Sequence, residues 1–438
     1  MLSKQDNELL ARIGPGSLMG NLFREHWVPG ALSSELPEPD GAPMRLRLLG
    51  EDLLAFRTTG GSVGVIQNSC PHRGASLFFG RNEEDGLRCV YHGWKFDVSG
   101  ACIDMPNEPA ESNFKHKIRA TAYPGVERNG LLWVYMGPRS APPPLPDLEP
   151  NMLPDGEWVV RAYQRECNWM QGLEGDVDTC HVSFLHLGGI SAAQAPAGTW
   201  ARFALQEKAP RYEVIDTDSG TMYGTYRPAG PDNYYWRIGN FVFPCYAFTP
   251  TGVLGLEVRF QAWVPMDDDH TLVISTGPRA RAMQASAGPW QFAPTDVVPT
   301  TSDWLGRFRT VGNKENDYQI DRAAQKRDSF TGIASIFVQD HAVTESMGAI
   351  GRRDREHLGT SDMMIIQTRR RLLNAAKALA EQGIVPPTVD NPAVYGLRSG
   401  GVVLPRAAHW VEQTKHLRQA FVHHPELSRD VLGGIPAI

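Results

Sequence analysis

Cys70-Pro71-His72-Arg73-Gly74-Ala75-Ser76-Leu77 is followed, with sixteen residues between His72 and Cys89, by Cys89-Val90-Tyr91-His92-Gly93-Trp94-Lys95-Phe96. Each half offers one thiolate and one imidazole on a tight turn, so two loops can pinch a single inorganic centre. Two Cys and two His at this spacing suit tetrahedral zinc, or a two-iron cluster in which His replaces Cys on one iron. Common zinc spacings group the two Cys in one half and the two His in the other. Here each half is mixed, which favours the two-iron centre. Gly74 and Gly93 let the backbone come close and donate N–H groups to sulfide.

The flanks of these loops read as β-structure. From about Met44 to Gly137, short apolar runs alternate with turn residues: Arg45–Leu49, Leu53–Phe56, Val63–Ile66 and Leu131–Met136. This predicts a small all-β domain. Gln5–Ile13 reads as a short helix stopped by Gly14-Pro15-Gly16. Pro142-Pro143-Pro144 and Pro146 read as a stiff linker. That places an N-terminal domain at residues 1–145 and a second at 146–438. Beyond Pro150, helical spacing appears at Trp169–His186. Strand-like runs follow at Tyr212–Ile215, Met222–Tyr226, Tyr234–Phe243, Val253–Val264 and Thr271–Ser275. A last long helix spans Asp362–Gln382, with Gly383 as its C-cap. The second domain is therefore expected to be α+β, an antiparallel sheet flanked by helices.

A length of 438 residues suits two domains, and 42% hydrophobic with 21% charged residues is a globular composition. The formal charge of −6 leaves no basic excess for binding nucleic acid. The N-terminus lacks the apolar run of a signal peptide, and no stretch approaches the ~20 apolar residues of a membrane helix. A soluble, cytoplasmic protein is expected. Six cysteines are too few for a secreted disulfide scaffold. Cys167, Cys180 and Cys245 are expected in the core and Cys102 partly exposed.

A second constellation opens the second domain, running from Asn168 through Asp176, Asp178, Cys180 and His181 to His186. Residues five apart on a regular helix diverge by about 140°, so His181 and His186 cannot share a face unless the helix distorts or ends between them, near Ser183-Phe184. Asp178 lies three residues before His181, on its face. Two imidazoles and one carboxylate would form the facial triad of a non-haem iron(II) oxygenase, with positions open for oxygen. Asp317, Asp321, Asp328, Asp340 and Glu345 compete for the third place.

The motifs C-P-H-R-G-A-S-L and C-x-Y-H-G-W-K-F resemble the Rieske domain of non-haem iron aromatic ring-hydroxylating oxygenases. The whole chain is similar to the α subunits of the phthalate dioxygenase type. Respiratory Rieske proteins differ, because their ligand loops carry a further cysteine pair that Arg73, Gly74, Val90 and Tyr91 replace here. The resemblance implies a [2Fe-2S] cluster on Cys70, His72, Cys89 and His92. It also implies a mononuclear Fe(II) on His181, His186 and Asp340, with O2 as co-substrate. In similar enzymes an aspartate at the position of Asp178 bridges an iron-ligand histidine to a Rieske histidine of the next subunit, here His181 and His92. A homotrimer or stacked trimers follow from that arrangement. The chain shows no nucleotide or flavin fingerprint, so NAD(P)H would serve only indirectly, through a separate flavin/iron-sulfur reductase.

The expected reaction is ring cis-dihydroxylation of an aromatic substrate, an aromatic carboxylate by resemblance, with monooxygenation or O-demethylation as the alternative. Other classes are a Rieske electron carrier whose second domain only docks partners, and a zinc-stabilised binding module. A carboxylate would want a guanidinium in an apolar pocket, and Arg237 or Arg259 could provide it. Each singly reads more readily as an exposed strand residue. Arg369-Arg370-Arg371 reads as a solvated helix face, with an acidic partner as the second option.

Overall fold

The molecule is described from a computed structural model covering residues 2–154, 156–195, 198–256, 258–278 and 294–427. Its first part is built from three small sheets. Trp27–Leu32, Leu131–Tyr135 and Gly125–Arg128 form one, with Leu131–Tyr135 in the middle. Met44–Leu48, Glu51–Arg57, Val63–Gln67 and Ala122–Tyr123 form the second, in that order. Arg81–Glu83, Gly86–Arg88, Lys95–Phe96 and Cys102–Asp104 form the third. The first hairpin of the second sheet turns through Leu49 and Gly50, both at positive φ (47° and 78°), the geometry that matches strand twist. A leucine in that conformation is strained. Its N–H donates to Pro265 O and that of Gly50 to Met266 O, so the turn is held against the other half of the molecule.

In the second part, eight strands make one sheet, and every ladder in it is antiparallel. Its spine is Asn233–Val242. One edge pairs with Gly220–Pro228, and the other with Gly400–Pro405 and then Tyr246–Phe248. The helices Trp169–Val177, Ile336–Ser346 and Met363–Gln382 flank this sheet. Tyr235 through Val242 are all buried, so this strand is covered on both faces. One apolar core joins both halves, with Phe23 edge-on to Trp169 at 4.9 Å. The fold is the expected all-β domain followed by an antiparallel α+β domain.

Several local expectations are corrected. The first helix is Lys4–Ala11, capped by the Ser3 hydroxyl. The helix at Trp169 ends at Val177, well before Ser183, because Asp178 already has extended backbone. The Val253–Val264 strand shrinks to Gln261–Pro265, Glu257 lying outside the described residues. The proline segment is no free linker: Pro143 and Pro146 are buried, and the Trp27 indole donates to Pro143 O at 2.7 Å. Cys102 is buried, and Cys180 is half-buried, accepting from the Tyr212 hydroxyl at 3.4 Å. Met363–Gln382 does end on Gly383 at φ +68°.

Candidate active site and metal centres

The Cys70-x-His72 and Cys89-x-x-His92 loops are near-copies in their backbone hydrogen bonds. Gly74 N–H donates to Cys70 O and Gly93 N–H to Cys89 O, at 2.8 and 2.9 Å. Both glycines have φ above +70°, which L side chains adopt only with strain. Each loop closes by its cysteine N–H donating to a carbonyl five residues on, Ala75 O and Trp94 O. Cys70 and Cys89 are buried in a small core with Trp94 and Phe96, while His72 and His92 reach partly into solvent. Burial pushes the Cys70 thiol up to about 11. The two imidazoles meet edge to face at 4.4 Å, and His72 stacks on Trp94. His92 Nδ1 is buried with no hydrogen-bond partner. Inner sulfur donors, outer nitrogen donors and an unpartnered ring nitrogen fit a two-iron cluster with unlike ends.

The second site forms where the helix Trp169–Val177 stops. Asp178 leaves helical geometry, its carboxylate accepts from Cys180 N–H at 2.7 Å, and a short 3-10 turn follows at His181–Ser183. That break brings His181 Nε2 to 3.1 Å from His186 Nε2, which no regular helix allows. The helix Ile336–Ser346 supplies Asp340, whose Oδ1 is 3.4 Å from His186 Nε2 and 3.8 Å from His181 Nε2. The three ligand atoms converge within 4.8 Å. Asp178 no longer shares a helical face with His181, yet its Oδ2 stands 3.6 Å from His181 Nδ1.

Gln339 Nε2 donates to Ile333 O, so its Oε1 must accept, and His186 Nδ1, 2.8 Å away, is the donor. His186 Nε2 therefore carries a lone pair. His181 Nδ1 faces Asp178, which places its lone pair on Nε2 as well. Two lone pairs and a carboxylate oxygen repel one another unless a cation lies between them, which is the donor set iron(II) takes. Burial lowers both imidazoles. At His181 the nearby Asp178 and Asp340 outweigh it and the group ends above its ordinary value, whereas His186 ends below.

A cleft of about 670 Å³, open to solvent, runs past this triad. Arg165, Arg237 and Arg259 line it together with Trp200, Tyr223, Gln261 and Phe337. Arg237 and Arg259 are buried, not the exposed strand residues expected, and Arg259 lies just before a strand. Asp176 accepts from Gln261 and Trp263, each at 2.7 Å. Burial, opposed by the Trp263 bond and reinforced by Asp340, lifts it to about 6. Gln339 and Asp176 were given no role from sequence, although Gln339 adjoins Asp340 and Asp176 stands two residues before Asp178. Arg369 is also buried, bound to Glu174 and Glu356, so it is neither a solvated face nor available to a partner.

A β domain with a Cys2His2 cluster cradle, joined to a sheet-and-helix domain with an open two-His-one-carboxylate site, defines the Rieske non-haem iron oxygenase class. The profile of the Rieske [2Fe-2S] domain matches residues 26–122, and that described as LigXa C-terminal domain like matches 134–431. The chain is 44% identical over 421 residues to the 3-chlorobenzoate-3,4-dioxygenase oxygenase subunit of Comamonas testosteroni, across 94% of this chain and 97% of that one. It is 38% identical over 401 residues to the phthalate 4,5-dioxygenase oxygenase subunit of Pseudomonas putida, across 86% and 87%. Dicamba monooxygenase bound to dicamba shares the fold, with TM-score 0.56 and 18% identity over 83% of this chain and all of that one. The chain belongs to the Rieske aromatic ring-hydroxylating oxygenases, as an α subunit. Among the described residues, no helix is long and apolar enough to cross a membrane.

Proposed function

We propose that this oxygenase hydroxylates an aromatic carboxylate, by ring cis-dihydroxylation, and that Arg237 holds the carboxylate. The observation that carries the reading is a buried charge without a counter-ion. Arg237 is 4% exposed, lines the cleft beside the triad, and has no carboxylate partner among the described residues. Its Nη1 donates to Thr179 and its Nε and Nη2 to Pro250 O, so two of its five N–H groups remain uncommitted. A desolvated guanidinium in that state is complementary to an anion. The names of the 3-chlorobenzoate and phthalate relatives agree with this class.

Cys70, His72, Cys89 and His92 would hold the [2Fe-2S] cluster, and His181, His186 and Asp340 the mononuclear Fe(II). When bound, these groups supply single electrons and an open iron site for dioxygen. Asp178 would fix the His181 ring through Nδ1 and, in a neighbouring copy, meet His92. Gln339 would fix His186 in the same way. Arg237 orients the ring over the triad, and Trp200, stacked beneath its guanidinium at 5.1 Å, keeps that side chain in place. Residues 1–145 would then serve electron storage and residues 146–438 the chemistry. A trimer or stacked trimers, a flavin/iron-sulfur reductase and a cytoplasmic location complete the reading.

The test has two parts. Purified protein should contain three irons and two acid-labile sulfides per chain, and His186→Ala should lose one iron and no sulfide. With a matched reductase, NADH and ¹⁸O2, benzoate or 3-chlorobenzoate should yield labelled product, and Arg237→Gln should raise KM at least tenfold. Turnover of neutral arenes with no turnover of benzoates would refute the substrate class.

A further inference from the structure

Tyr223 lies on Gly220–Pro228, directly opposite Gly239 on the spine strand, and Thr225 lies opposite Arg237. Residues two apart on a strand share a face, so Tyr223 and Arg237 are diagonal neighbours on one face. The Tyr223 ring crosses the space a side chain at 239 would fill. A Cβ there would stand 2.5 Å from Tyr223 Oη and 2.6 Å from Cζ. Gly239 is thus the notch that lets the phenol reach the cleft. Tyr223 is 1% exposed and lines the cleft with Arg237, Asp178 and His181, yet its Oη is buried with no hydrogen-bond partner. Buried hydroxyls are almost always bonded. Two Arg237 N–H groups on the same wall are uncommitted as well.

We propose that the Tyr223 hydroxyl is a substrate-positioning donor, forming with the open N–H groups of Arg237 a three-point cradle for one carboxylate. The cradle rests on the aromatic-carboxylate reading above and deepens it. Three donors on one side of the cleft describe a site for a single carboxylate and fix the plane of the ring attached to it. Burial, with Asp176 and Asp178 adding to it against Arg237, holds the phenol above its ordinary range, so it stays protonated and can donate. Asp176, locked by Gln261 and Trp263, adds no donor to this wall. The hydroxyl would touch substrate without taking part in bond making, which makes Tyr223 a positioning residue.

The experiment is calorimetric titration of the oxidised, iron-loaded holoenzyme with benzoate and, separately, with chlorobenzene, a ring of similar size without a hydrogen-bond acceptor. Tyr223→Phe should weaken benzoate roughly tenfold to a hundredfold, the range for losing a bond to a charged group. Chlorobenzene should change less than about threefold in the same variant. Gly239→Ala should weaken benzoate in the wild-type background and add less in Tyr223→Phe, because the hydroxyl contact that the displaced ring would lose is already gone. Benzoate affinity within about threefold of wild type in Tyr223→Phe would overturn the cradle, and so would equal weakening of both probes. If Arg237→Gln loses benzoate while Tyr223→Phe keeps it, the substrate class stands and the cradle alone fails. If Arg237→Gln keeps benzoate, Arg237 does not hold the carboxylate and the cradle fails with it; if the wild type binds chlorobenzene but not benzoate, the substrate class itself has failed.

Discussion

Glu174→Gln tests whether the helix that ends at Asp178 is anchored by charge. Glu174 sits one turn before that break. Its Oε1 accepts from Arg353 Nε at 2.8 Å and Arg369 Nε at 2.6 Å, and its Oε2 from Arg353 Nη2 at 3.0 Å. Arg369 also holds Glu356 through two bonds, whereas among the described residues the Arg353 side chain has only Asn7 besides Glu174. Removing one partner of a buried pair costs about 3–5 kcal/mol, because the remaining charge is stranded. Glutamine keeps one acceptor oxygen and Arg369 keeps Glu356, so the low end applies, about 3 kcal/mol. At roughly 2 °C per kcal/mol for a chain this long, Tm should fall by about 6 °C with both metal centres loaded. The pH dependence has a definite sign. Burial raises the Glu174 carboxyl, but the two guanidiniums outweigh it and hold the group below 4.5. A depressed carboxylate stabilises the fold fully above its unfolded value and loses that contribution as pH falls through the folded one. The Tm gap between wild type and Glu174→Gln should therefore stay constant from pH 7 down to about 4.5 and narrow below. A gap under 1 °C at pH 7, or one that widens in acid, would refute the anchoring role.

Three further outcomes follow from the geometry. Asp178→Asn should load both metal centres, measured as iron and sulfide, yet lose turnover by about 10–100-fold; near-normal turnover would refute the coupling role. Gly172→Ala places a Cβ 2.0–2.7 Å from the Trp263 ring, which is 1% exposed and cannot retreat. Overpacking of about 1–3 kcal/mol exceeds the ~1 kcal/mol helix gain, so melting should show net destabilisation, and a stabilised variant would contradict the packing. Gly93→Ala meets both a +78° φ and Pro106 Cγ at 2.6 Å, and its sulfide content per chain should drop; full sulfide would show that the loop tolerates the strain.

The legible parts of the chain were those whose function is local in sequence. Each cluster loop places its Cys and His within four residues, with a glycine after them, and spacing alone carried that reading. The separation of His181 and His186 even required a broken helix. The position of the break was not legible, because Asp178 ends the helix by capping Cys180 N–H, a choice between two local hydrogen-bond schemes. By spacing alone Asp340 was one acid among several; only the resemblance singled it out, and the fold sets its helix Ile336–Ser346 against the broken one. The arginines were misjudged for a different reason. Period-two reasoning assumes one solvated face, and the spine strand has none from Tyr235 to Val242. In Arg369-Arg370-Arg371, successive residues turn by about 100°, so one of three must point inward, and composition does not say which.

The distribution of buried guanidiniums then separates fold from function. Arg307 binds Glu35, Arg353 binds Glu174, Arg369 binds Glu174 and Glu356, and Arg398 binds Glu149. Each of these carries its counter-ion, joins distant segments and needs nothing more. Arg165 and Arg237 have no carboxylate partner among the described residues, and both line the cleft beside His181, His186 and Asp340. Arg165 has Thr344 and the Trp263 ring, and Arg237 has Thr179 and Pro250. Behind that wall Arg227, fully buried, donates its Nε to Glu207 O, and burial with Arg237 nearby pulls it down to about 10. Arg307, Arg353, Arg369 and Arg398 show that this fold can pair a buried guanidinium, and pairing these three would gain stability as well. Leaving guanidiniums at one cleft without a direct carboxylate contact costs stability, and the cost is understandable if an anion binds there.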